Sequence, residues 1–565
     1  MDYSILKDDT PENTIKKIKK ILNRTGIKTK ETIYQQENSN KNIPIVSVYL
    51  EVITKGYKGM YSCGKGQNIK NATASAYAEL IERMQAQKIF EYKSLWCRIK
   101  EQKQKQKQLK QKDNINSKIK NEHLFLPFFS IKDKDNIFLP YDIILYTRGT
   151  TGMAAGNTYE EAIVQGLSEI CERESIKRIF TNKIRCKTVP KQEYIKYEQI
   201  RNIIEFYEKN GFKITIKDAS LNETIPVICT IFEKNGIYSL RFGAHPSLPI
   251  AIERTFTEQL QCINIEEYEK LIKECPYYTK EEVNDTPIEN IILSISHMFV
   301  SFEKNKLIDD IFLNDEIQDK NKLTVWIKNE NKITNKELLK FLLKKLSKIS
   351  SNIFIKDMSF LKFPTVYIFI PEMAELVKWN KTTLDHTINY QMWKNFNETK
   401  NRENYNIKSL YKLAKYNVNR HYYFDKLKNV FNCPLEYVIF LCSVKIKDVK
   451  NIIKYANLLI KKNNIYKIFE EEQIKMFQII KNYYLLKQNK HKEQEIKKEL
   501  EKNYSKNEIK ENLEIIKEIS FEVILKTVIN KKYTQKKIDK KKIEKLIEMY
   551  NKANINNTNI KYIFN

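Results

Sequence analysis

One segment of the sequence, residues 152–174, combines acidic side chains and an arginine at helical spacing. Its polar side chains recur at intervals of four, four and three residues, so they would share one stripe of a helix. They are Glu161, Gln165, Glu169 and Glu172, and Arg173 follows them. Thr158 stands three residues before Glu161, the spacing of a capping box, and Asn157 lies in the glycine-containing loop before it. Because a buried charge without a partner is costly, the stripe needs cations beside it, unless it is a solvated face.

Two further segments, residues 64–83 and 243–258, repeat this combination of a small-residue loop and a helix with charged side chains. Their candidate residues are Lys65, Ser75, Glu79, Glu82, Arg83, Arg254 and Glu258. Carboxylates are hard oxygen ligands that suit Mg²⁺, which is commonly shared with substrate phosphates. Arginine matches phosphate oxygens in a bidentate geometry. Together the three segments predict a site for a metal–nucleotide complex.

The order, spacing and residue types of these segments resemble the signatures of the YcaO family of ATP-dependent proteins that activate peptide amides. The Sx3ExxER form corresponds to residues 75–83, the GNTxxEAxxQGLxExxER form to 156–173, and the GAHP…ExR…E form to 243–258. Residues 353–372 also resemble the end of that family's catalytic domain. The resemblance covers roughly residues 40–380 and implies a YcaO-type mixed α/β (α+β) domain with ATP and Mg²⁺ as cofactors.

The resemblance also implies roles for individual residues. Six glutamates would hold Mg²⁺, namely Glu79, Glu82, Glu161, Glu169, Glu172 and Glu258. Contacts to phosphate or ribose would come from Ser75, Arg83, Asn157, Arg173 and Arg254, with Lys65 as a further phosphate contact and Gln165 orienting the site. We expect no catalytic residue distinct from this nucleotide and metal site.

The implied reaction is the phosphorylation of a backbone amide oxygen after a nucleophile has added to the carbonyl. Loss of phosphate would leave an azoline, an amidine or a thioamide, depending on the nucleophile. Azoline-forming members end in a proline-rich tail, whereas this sequence ends in NIKYIFN, which argues against heterocycle formation. Phosphoryl transfer needs metal neutralisation and positioning more than a strong base, which suits a site rich in Glu and Arg.

Three classes of function remain open. We favour an ATP-dependent amide-modifying enzyme. The second is an accessory factor that uses nucleotide to bind or present a substrate, because the family's namesake has an accessory role in ribosomal protein methylthiolation. The third is a basic RNA- or ribosome-binding protein, since the formal net charge is +29, although the lysines are spread along the helices. We expect a protein or peptide substrate, such as a ribosomal protein, a partner modification enzyme, a homodimer, and no main role for nucleic acid or membrane.

Composition indicates a globular protein, and we expect it in the cytoplasm. Hydrophobic residues make up 42% of the chain, yet no run approaches the ~18 apolar residues of a membrane span. The first residues lack the basic-then-apolar pattern of a signal peptide. The nine cysteines include no CxxC pair, so we expect reduced core thiols and no zinc site. His245, in the third segment, is expected to be structural.

Hydrophobic periodicity divides the chain near residue 390. Residues 1–390 show strands alternating with helices, interrupted at 98–122 by a basic low-complexity insertion that we expect to be a solvated loop. The predicted strands lie at 43–66 (a hairpin), 137–146, 212–217, 225–232, 238–242, 352–356 and 365–370, with helices at 191–209 and 335–349. Residues 391–565 consist of successive amphipathic segments, which predict an all-α, helical-repeat-like domain. The resemblance implies that this domain is tetratricopeptide-like.

Overall fold

The computed structural model divides the chain into two compact units. The first joins Met1–Lys378 to Lys537–Asn565, and the second is Trp379–Lys536. The described residues are 7–38, 41–54, 60–86, 125–222, 224–274, 277–297, 300–313, 325–327, 333–375, 407–408, 410–411, 414, 433–466, 468–528, 549 and 557–564. The basic insertion at 98–122 lies outside them, so the solvated loop stays a prediction.

The first unit begins with a three-stranded antiparallel sheet and two helices, of which the second packs on the sheet and the first packs on the second. These elements are α1 (Pro11–Thr25), β1 (Thr29–Asn38), β2 (Lys41–Val52), β3 (Tyr61–Gly66) and α2 (Ile69–Gln85). Helix α1 starts where the Thr10 side chain accepts the N–H of Asn13, and it ends at Gly26, whose φ of 72° favours glycine. Strands β2 and β3 pair antiparallel, which confirms the predicted hairpin over 43–66.

Two five-stranded sheets complete the first unit. The central elements are β4 (Phe125–Ser130), β5 (Asp135–Pro140), α3 (Tyr141–Arg148), β6 (Met153–Ala155), α4 (Tyr159–Asn182), α5 (Glu198–Lys209), β7 (Lys213–Asp218), β8 (Val227–Lys234), β9 (Ile237–Ala244) and α6 (Leu248–Gln259). They are followed by α7 (Ile265–Glu274), β10 (Tyr277–Tyr278), α8 (Lys280–Asp285), α9 (Ile288–His297), β11 (Ser301–Glu303), α10 (Asn335–Leu346), β12 (Phe354–Asp357) and β13 (Thr365–Phe369). The sheet orders are β5-β4-β12-β13-β6 and β10-β11-β9-β8-β7.

Helix α4 contacts both five-stranded sheets and carries the central predicted segment. It starts where Thr158 Oγ1 accepts the N–H of Glu161 at 3.1 Å, as its spacing predicts. Its apolar residues join those of both sheets in one core cluster, with Leu167 and Ile170 fully buried. A helix enclosed in this way has little solvated surface, so its charged side chains must find partners within the protein.

The second unit is helical in its described part, and the expected fold class is therefore confirmed. Its helices are α11 (Leu435–Ile446), α12 (Val449–Tyr466), α13 (Glu471–Gln488), α14 (Glu493–Leu500), α15 (Lys506–Glu518) and α16 (Phe521–Val528). They share their own hydrophobic core, in which Phe440, Phe477 and Ile480 are fully buried. The tetratricopeptide-like label stays a prediction.

Several details differ from the sequence-based expectations. The helix predicted over 191–209 begins only at Glu198, after a short 3-10 helix at Lys191–Glu193. The predicted strand over 137–146 is a short strand, β5, followed by helix α3 from Tyr141, because an apolar run such as IILY is compatible with either conformation. The predicted second domain over 391–565 excludes the chain's last residues in the structure. Lys537–Asn565 belongs to the first unit, where helix α17 (Thr558–Phe564) buries Ile560. Local hydrophobic periodicity in the sequence does not indicate long-range packing of this kind.

Within the described ranges, no helix is both long and apolar enough to cross a membrane.

Candidate functional site

Two of the predicted segments begin with a glycine that lets a strand lie directly against the following helix. A Cβ on Gly64 in β3 would stand 2.0 Å from the main-chain nitrogen of Ala76 in α2. A Cβ on Gly243 in β9 would stand 2.3 Å from the main-chain oxygen of Ala251 in α6. Because only glycine permits these approaches, the glycines fix where the residues that follow them meet the helices.

Side chains from β3, α4 and α6 meet in one polar cluster. Lys65 Nζ lies 2.6 Å from Glu258 Oε2, which joins β3 to α6. Arg254 Nη2 donates to Gln165 Oε1 at 2.5 Å, which joins α6 to α4. The other Arg254 amino group, Nη1, donates to the carbonyl of Ala244 at 2.6 Å and fixes the guanidinium in place. Three segments far apart in sequence are thereby brought together at one site.

The same cluster includes the C-terminal part of the α4 stripe, with Glu169, Glu172 and the adjacent Arg173. Arg173 Nη1 donates to Glu172 Oε1 at 2.8 Å, and Nη2 lies 3.9 Å from Glu169 Oε1. The main-chain N–H of Gly152 donates to Glu169 Oε2 at 3.0 Å, so the loop before the helix holds this carboxylate as well. All three side chains are half-buried.

Three carboxylates of the cluster differ in the direction of their pKa shifts, because burial and the nearby charges act on each of them to a different extent. Burial, and then repulsion by Glu258 and Glu169, raises the pKa of Glu172 to about 7 despite the nearby Arg173. Burial also raises the pKa of Glu169. For Glu258 burial is outweighed by Lys65, Arg173 and Arg241, so the pKa falls to about 2. Burial therefore disfavours the ionised forms of Glu169 and Glu172, whereas the nearby cations favour the ionised form of Glu258.

Asn157 and Glu161, at the start of α4, face the N-terminal segment. Lys7 Nζ lies 3.0 Å from Glu161 Oε1, and the N–H of Asp8 donates to Oε2 at 3.1 Å. Thr14 in α1 donates to Asn157 Oδ1 at 2.8 Å. Burial alone would raise the pKa of Glu161, but Lys7 and the Asp8 N–H outweigh it, and the pKa is lowered. No sequence motif marks Lys7, Asp8 or Thr14, so these residues were not predicted.

The α2 residues contribute a third group. Glu79 Oε2 accepts the N–H of Cys63 at 2.9 Å, and Arg83 donates to Glu79 and to the carbonyl of Tyr61. The Arg83 guanidinium also lies 5.5 Å from the centre of the Tyr61 ring. Arg83 therefore contacts its own helix and β3, and not the cluster around Glu258. Ser75 and Glu82 are half-buried on the same helix.

A disulfide joins the strand that carries Lys65 to the chain just after α6. It links Cys63 to Cys262, whose Cα atoms are 6.5 Å apart, so the expectation that all cysteines are reduced is wrong for this pair. Cys171, Cys186 and Cys229 are buried and free, as expected. The two bonded residues are 199 positions apart, and pairing over such a distance cannot be inferred from local spacing.

Two further buried residues, Arg241 and His245, lie near the site. Arg241 on β9 is 9% exposed and interacts electrostatically with Glu258 and Arg173. An arginine on an otherwise apolar buried strand is itself a signal that could have identified it. His245 is buried, and its Nδ1 accepts the N–H of Ser247 at 3.0 Å. Burial, followed by Arg254 and Lys7, holds its pKa well below the usual range, which suits the expected structural role.

The donors at this site fit a hard divalent cation by their chemistry, although they are not arranged around one. In the described part of the chain, no three His, Cys, Asp or Glu side chains are grouped so that they could hold a metal ion. The chain's own cations face five of the predicted metal ligands instead, in the pairs Lys7–Glu161, Lys65–Glu258, Arg83–Glu79, Arg173–Glu172 and Arg173–Glu169. Added positive charge would lower the pKa of Glu172, which burial and the neighbouring carboxylates raise.

Comparison with known proteins gives a consistent result. Residues 63–374 match the sequence model of the family described as "YcaO cyclodehydratase, ATP-ad Mg2+-binding". The chain is 41% identical over 138 residues to "Ribosomal protein S12 methylthiotransferase accessory factor YcaO" of Escherichia coli, and the match covers 24% of each chain. It is 40% identical over 138 residues to an uncharacterized protein of Haemophilus influenzae, again over 24% of each chain. The matches thus span about a quarter of these relatives' length.

Among solved structures, similarity is found to "The structure of YcaO from Methanopyrus kandleri bound with AMPPCP and Mg2+". The TM-score is 0.43 at 15% sequence identity, and the alignment covers 65% of this chain and 93% of that chain.

Proposed function

The chain belongs to the YcaO family, whose cofactors are ATP and Mg²⁺, and on that premise we propose that it activates a backbone amide of a protein or peptide by phosphorylating the amide oxygen. The activation would support a post-translational modification such as thioamidation or ribosomal protein methylthiolation. The observation that carries this proposal is the cluster of Lys65, Gln165, Arg173, Arg254 and Glu258, which three separate signature segments contribute.

The chain's own residues would bind and orient the reactants. ATP supplies the phosphoryl group that turns the amide oxygen into a leaving group. The glutamates that would hold Mg²⁺ are Glu79, Glu82, Glu161, Glu169, Glu172 and Glu258. Phosphate oxygens would be neutralised by Lys65, Arg173 and Arg254. Gln165 keeps Arg254 oriented, because its Oε1 accepts a hydrogen bond from Arg254 Nη2. Contacts to phosphate or ribose from Ser75, Arg83 and Asn157 complete the proposed set.

Among the residues that the structure describes, no histidine of the site is placed as a general base, and the proposed reaction needs none. His245 accepts a main-chain N–H and stays neutral, because burial and two nearby cations lower its pKa. Phosphoryl transfer depends mainly on positioning and on neutralising charge, which carboxylates, arginines and a lysine in one cluster can provide.

Titration calorimetry with ATP and Mg²⁺ tests the binding part of the proposal, and we expect saturable binding that requires Mg²⁺. Isotope transfer tests the chemistry. When a peptide substrate labelled with ¹⁸O at its amide is turned over, the released phosphate should carry the label, because the amide oxygen leaves with it. Candidate peptides come from comparing the modified peptides of cells with and without this protein. Absence of binding at millimolar ATP would refute the proposal.

A second candidate function is a nucleotide-dependent accessory factor for a methylthiotransferase. The observation that favours it is the E. coli relative, which is named as an accessory factor and is 41% identical over 138 residues. The two proposals differ in turnover. An accessory factor would bind ATP and a protein partner without transferring label into phosphate, whereas the amide-activating enzyme would transfer it.

A further inference from the structure

The end of the chain returns to the first unit and packs beside the site helix. Helix α17 contacts both α4 and β12, and Ile560 is fully buried in the core cluster that surrounds α4. The ring of Phe564 stacks on Phe129 of β4, with centroids 6.0 Å apart. In contrast, Tyr562 on the same helix is 87% exposed. The helix therefore packs one face against the rest of the first unit and exposes the other face to solvent.

Asn557, just before α17, bonds to three strands of one sheet. Its Oδ1 accepts the N–H of Asp357 in β12 at 2.8 Å. Its Nδ2 donates to the carbonyl of Pro127 in β4 at 3.2 Å and to Asn136 Oδ1 in β5 at 2.8 Å. Asn557 is 1% exposed and has a φ of 62°, a conformation that asparagine tolerates better than most residues.

This side chain takes the place of a peptide group between two strands. Strands β12 and β4 pair only at Phe354 with Ser130 and at Ile355 with Phe129. Pro127 lacks an N–H and cannot extend the ladder. The amide of Asn557 accepts from one strand and donates to the other, as a main-chain peptide would, so it closes the gap. The same sheet ends in β6, which leads directly into the loop that precedes α4.

A second asparagine connects α17 to the first residue of the site helix. Asn559 Nδ2 donates to the Tyr159 hydroxyl at 2.9 Å and to Asp357 Oδ2 at 3.2 Å. The Tyr159 hydroxyl in turn donates to Asp357 Oδ2 at 2.9 Å. Tyr159 lies two residues from Asn157 and two from Glu161.

We infer that residues 557–564 are part of the scaffold of the nucleotide site, with Asn559 acting as a positioning residue for the first turn of α4. The inference rests on the proposed function, since the first turn matters only if Asn157 and Glu161 bind nucleotide or metal. Asn559 would touch neither ATP nor substrate. It acts through Tyr159, whose ring and hydroxyl fix the helix start relative to the sheet.

The test compares Asn559→Ala with the matched control Tyr562→Ala on the exposed face of the same helix, in the full-length protein. The readout is the dissociation constant for ATP with Mg²⁺, measured by calorimetry well below the melting temperature. We expect binding about three- to tenfold weaker for Asn559→Ala, as for one lost hydrogen bond, and unchanged for Tyr562→Ala. In a Tyr159→Phe background, Asn559→Ala should have less than about a twofold effect, because residues that act through one another are not additive.

A third variant separates positioning from general stability. Ile560→Val removes one buried methyl group without touching these hydrogen bonds, so it should lower the melting temperature while leaving ATP affinity unchanged. Equal affinities for Asn559→Ala and Tyr562→Ala would overturn the inference, as would an Ile560→Val variant that weakens binding as much as Asn559→Ala. If the wild-type protein fails to bind ATP at all, the proposed function fails with it.

Discussion

At the scale of single residues, the partners of the α4 stripe decide its chemistry. Glu161 is 5% exposed and is held by Lys7 and the Asp8 N–H, whereas Glu169 meets a main-chain N–H and a more distant Arg173. The stripe is therefore not a uniformly solvated face. The surroundings shift the pKa of these two carboxylates in opposite directions, lowering it for Glu161 and raising it for Glu169.

Glutamine substitutions at these two positions should have different effects on stability. Glu161→Gln loses the ion pair with Lys7, so the free energy of unfolding should fall by about 1 kcal/mol. Glu169→Gln removes a carboxylate that burial already disfavours, so stability should stay within about 0.5 kcal/mol or rise. Both should weaken ATP binding about tenfold or more if they ligate Mg²⁺. Glu160→Gln, at the neighbouring position, is the control for thermal melts with and without ATP and Mg²⁺.

A ligand-induced thermal shift as large in Glu161→Gln and Glu169→Gln as in the wild type would contradict the assignment of both glutamates to the metal.

Glu172 should make both stability and nucleotide binding depend on pH. Its pKa is raised from 4.5 to about 7, so between these values the folded state keeps a proton that the unfolded state has released. Its contribution to stability is therefore full below pH 4.5 and is lost as the pH rises through about 7. The pKa of Glu258 is lowered to about 2, so its contribution is lost only as the pH falls below 4.5.

We accordingly expect the ligand-free protein to lose stability between about pH 5 and pH 8, and Glu172→Gln to lose less of it. Because Mg²⁺ binds the ionised carboxylate, ATP affinity should increase over about pH 6 to pH 8. Denaturant unfolding and calorimetry across this range measure the two effects. If stability and ATP affinity depend on pH in the same way in the wild type and in Glu172→Gln, a group other than Glu172 causes the pH dependence.

At the scale of elements, close contact between strand and helix main chains positions the site. Gly64 brings β3 against α2, and Gly243 brings β9 against α6, so Lys65 and Arg254 approach the cluster from fixed directions. The disulfide between Cys63 and Cys262 further ties β3 to the chain after α6. Glycine in these two strands thus serves the packing of elements rather than flexibility.

Replacing Gly64 by alanine should therefore cost more than an ordinary glycine substitution. The added Cβ would meet main-chain atoms of Ala76 and Ala72 at 2.0 and 2.2 Å, and no rotamer change can move them. We expect a loss above about 3 kcal/mol in the free energy of unfolding, or failure to fold. Gly236→Ala is the comparison, since it has a φ of 76° but nothing within 4 Å and should cost only about 1 kcal/mol. If urea unfolding shows that Gly64→Ala and Gly236→Ala lose equal free energy of unfolding, steric contact at Gly64 is not the cause.

At the scale of the whole molecule, the second unit interrupts the first in sequence. The chain leaves the first unit at Lys378 and rejoins it at Lys537, and helix α17 then completes the core around α4. A division of the chain at residue 390 would consequently separate Ile560 from its packing partners.

Two truncated proteins should reveal this arrangement. Residues 1–378 joined by a Gly/Ser linker to 537–565 should fold and bind ATP, because they contain the whole first unit. Residues 1–390 should unfold at a lower temperature and bind ATP more weakly, since the Ile560 side chain and the Asn557 bonds are missing. Melting curves and calorimetry compare the two. If residues 1–390 match the joined protein in both assays, the last segment is dispensable.

The sequence by itself determined those features that depend on short-range spacing. The capping threonine and polar stripe of α4, the hairpin of β2 and β3, and the strands β7 to β9 were all predicted, because helical and strand periodicities repeat within a few residues. The family signatures were recognised for the same reason, since each one spans a single loop and helix.

Only the tertiary structure decided which groups meet. Lys7 lies 154 residues from Glu161, Lys65 lies 193 from Glu258, and Asn559 lies 400 from Tyr159. The Cys63–Cys262 disulfide and the return of the last helix to the first unit are equally distant in sequence. Such pairs arise because burial of apolar faces folds the chain. Each charged side chain then pairs with whichever partner the packing places beside it. Local spacing contains no record of that choice, so the partners, and the protonation states that follow from them, emerge only in the folded molecule.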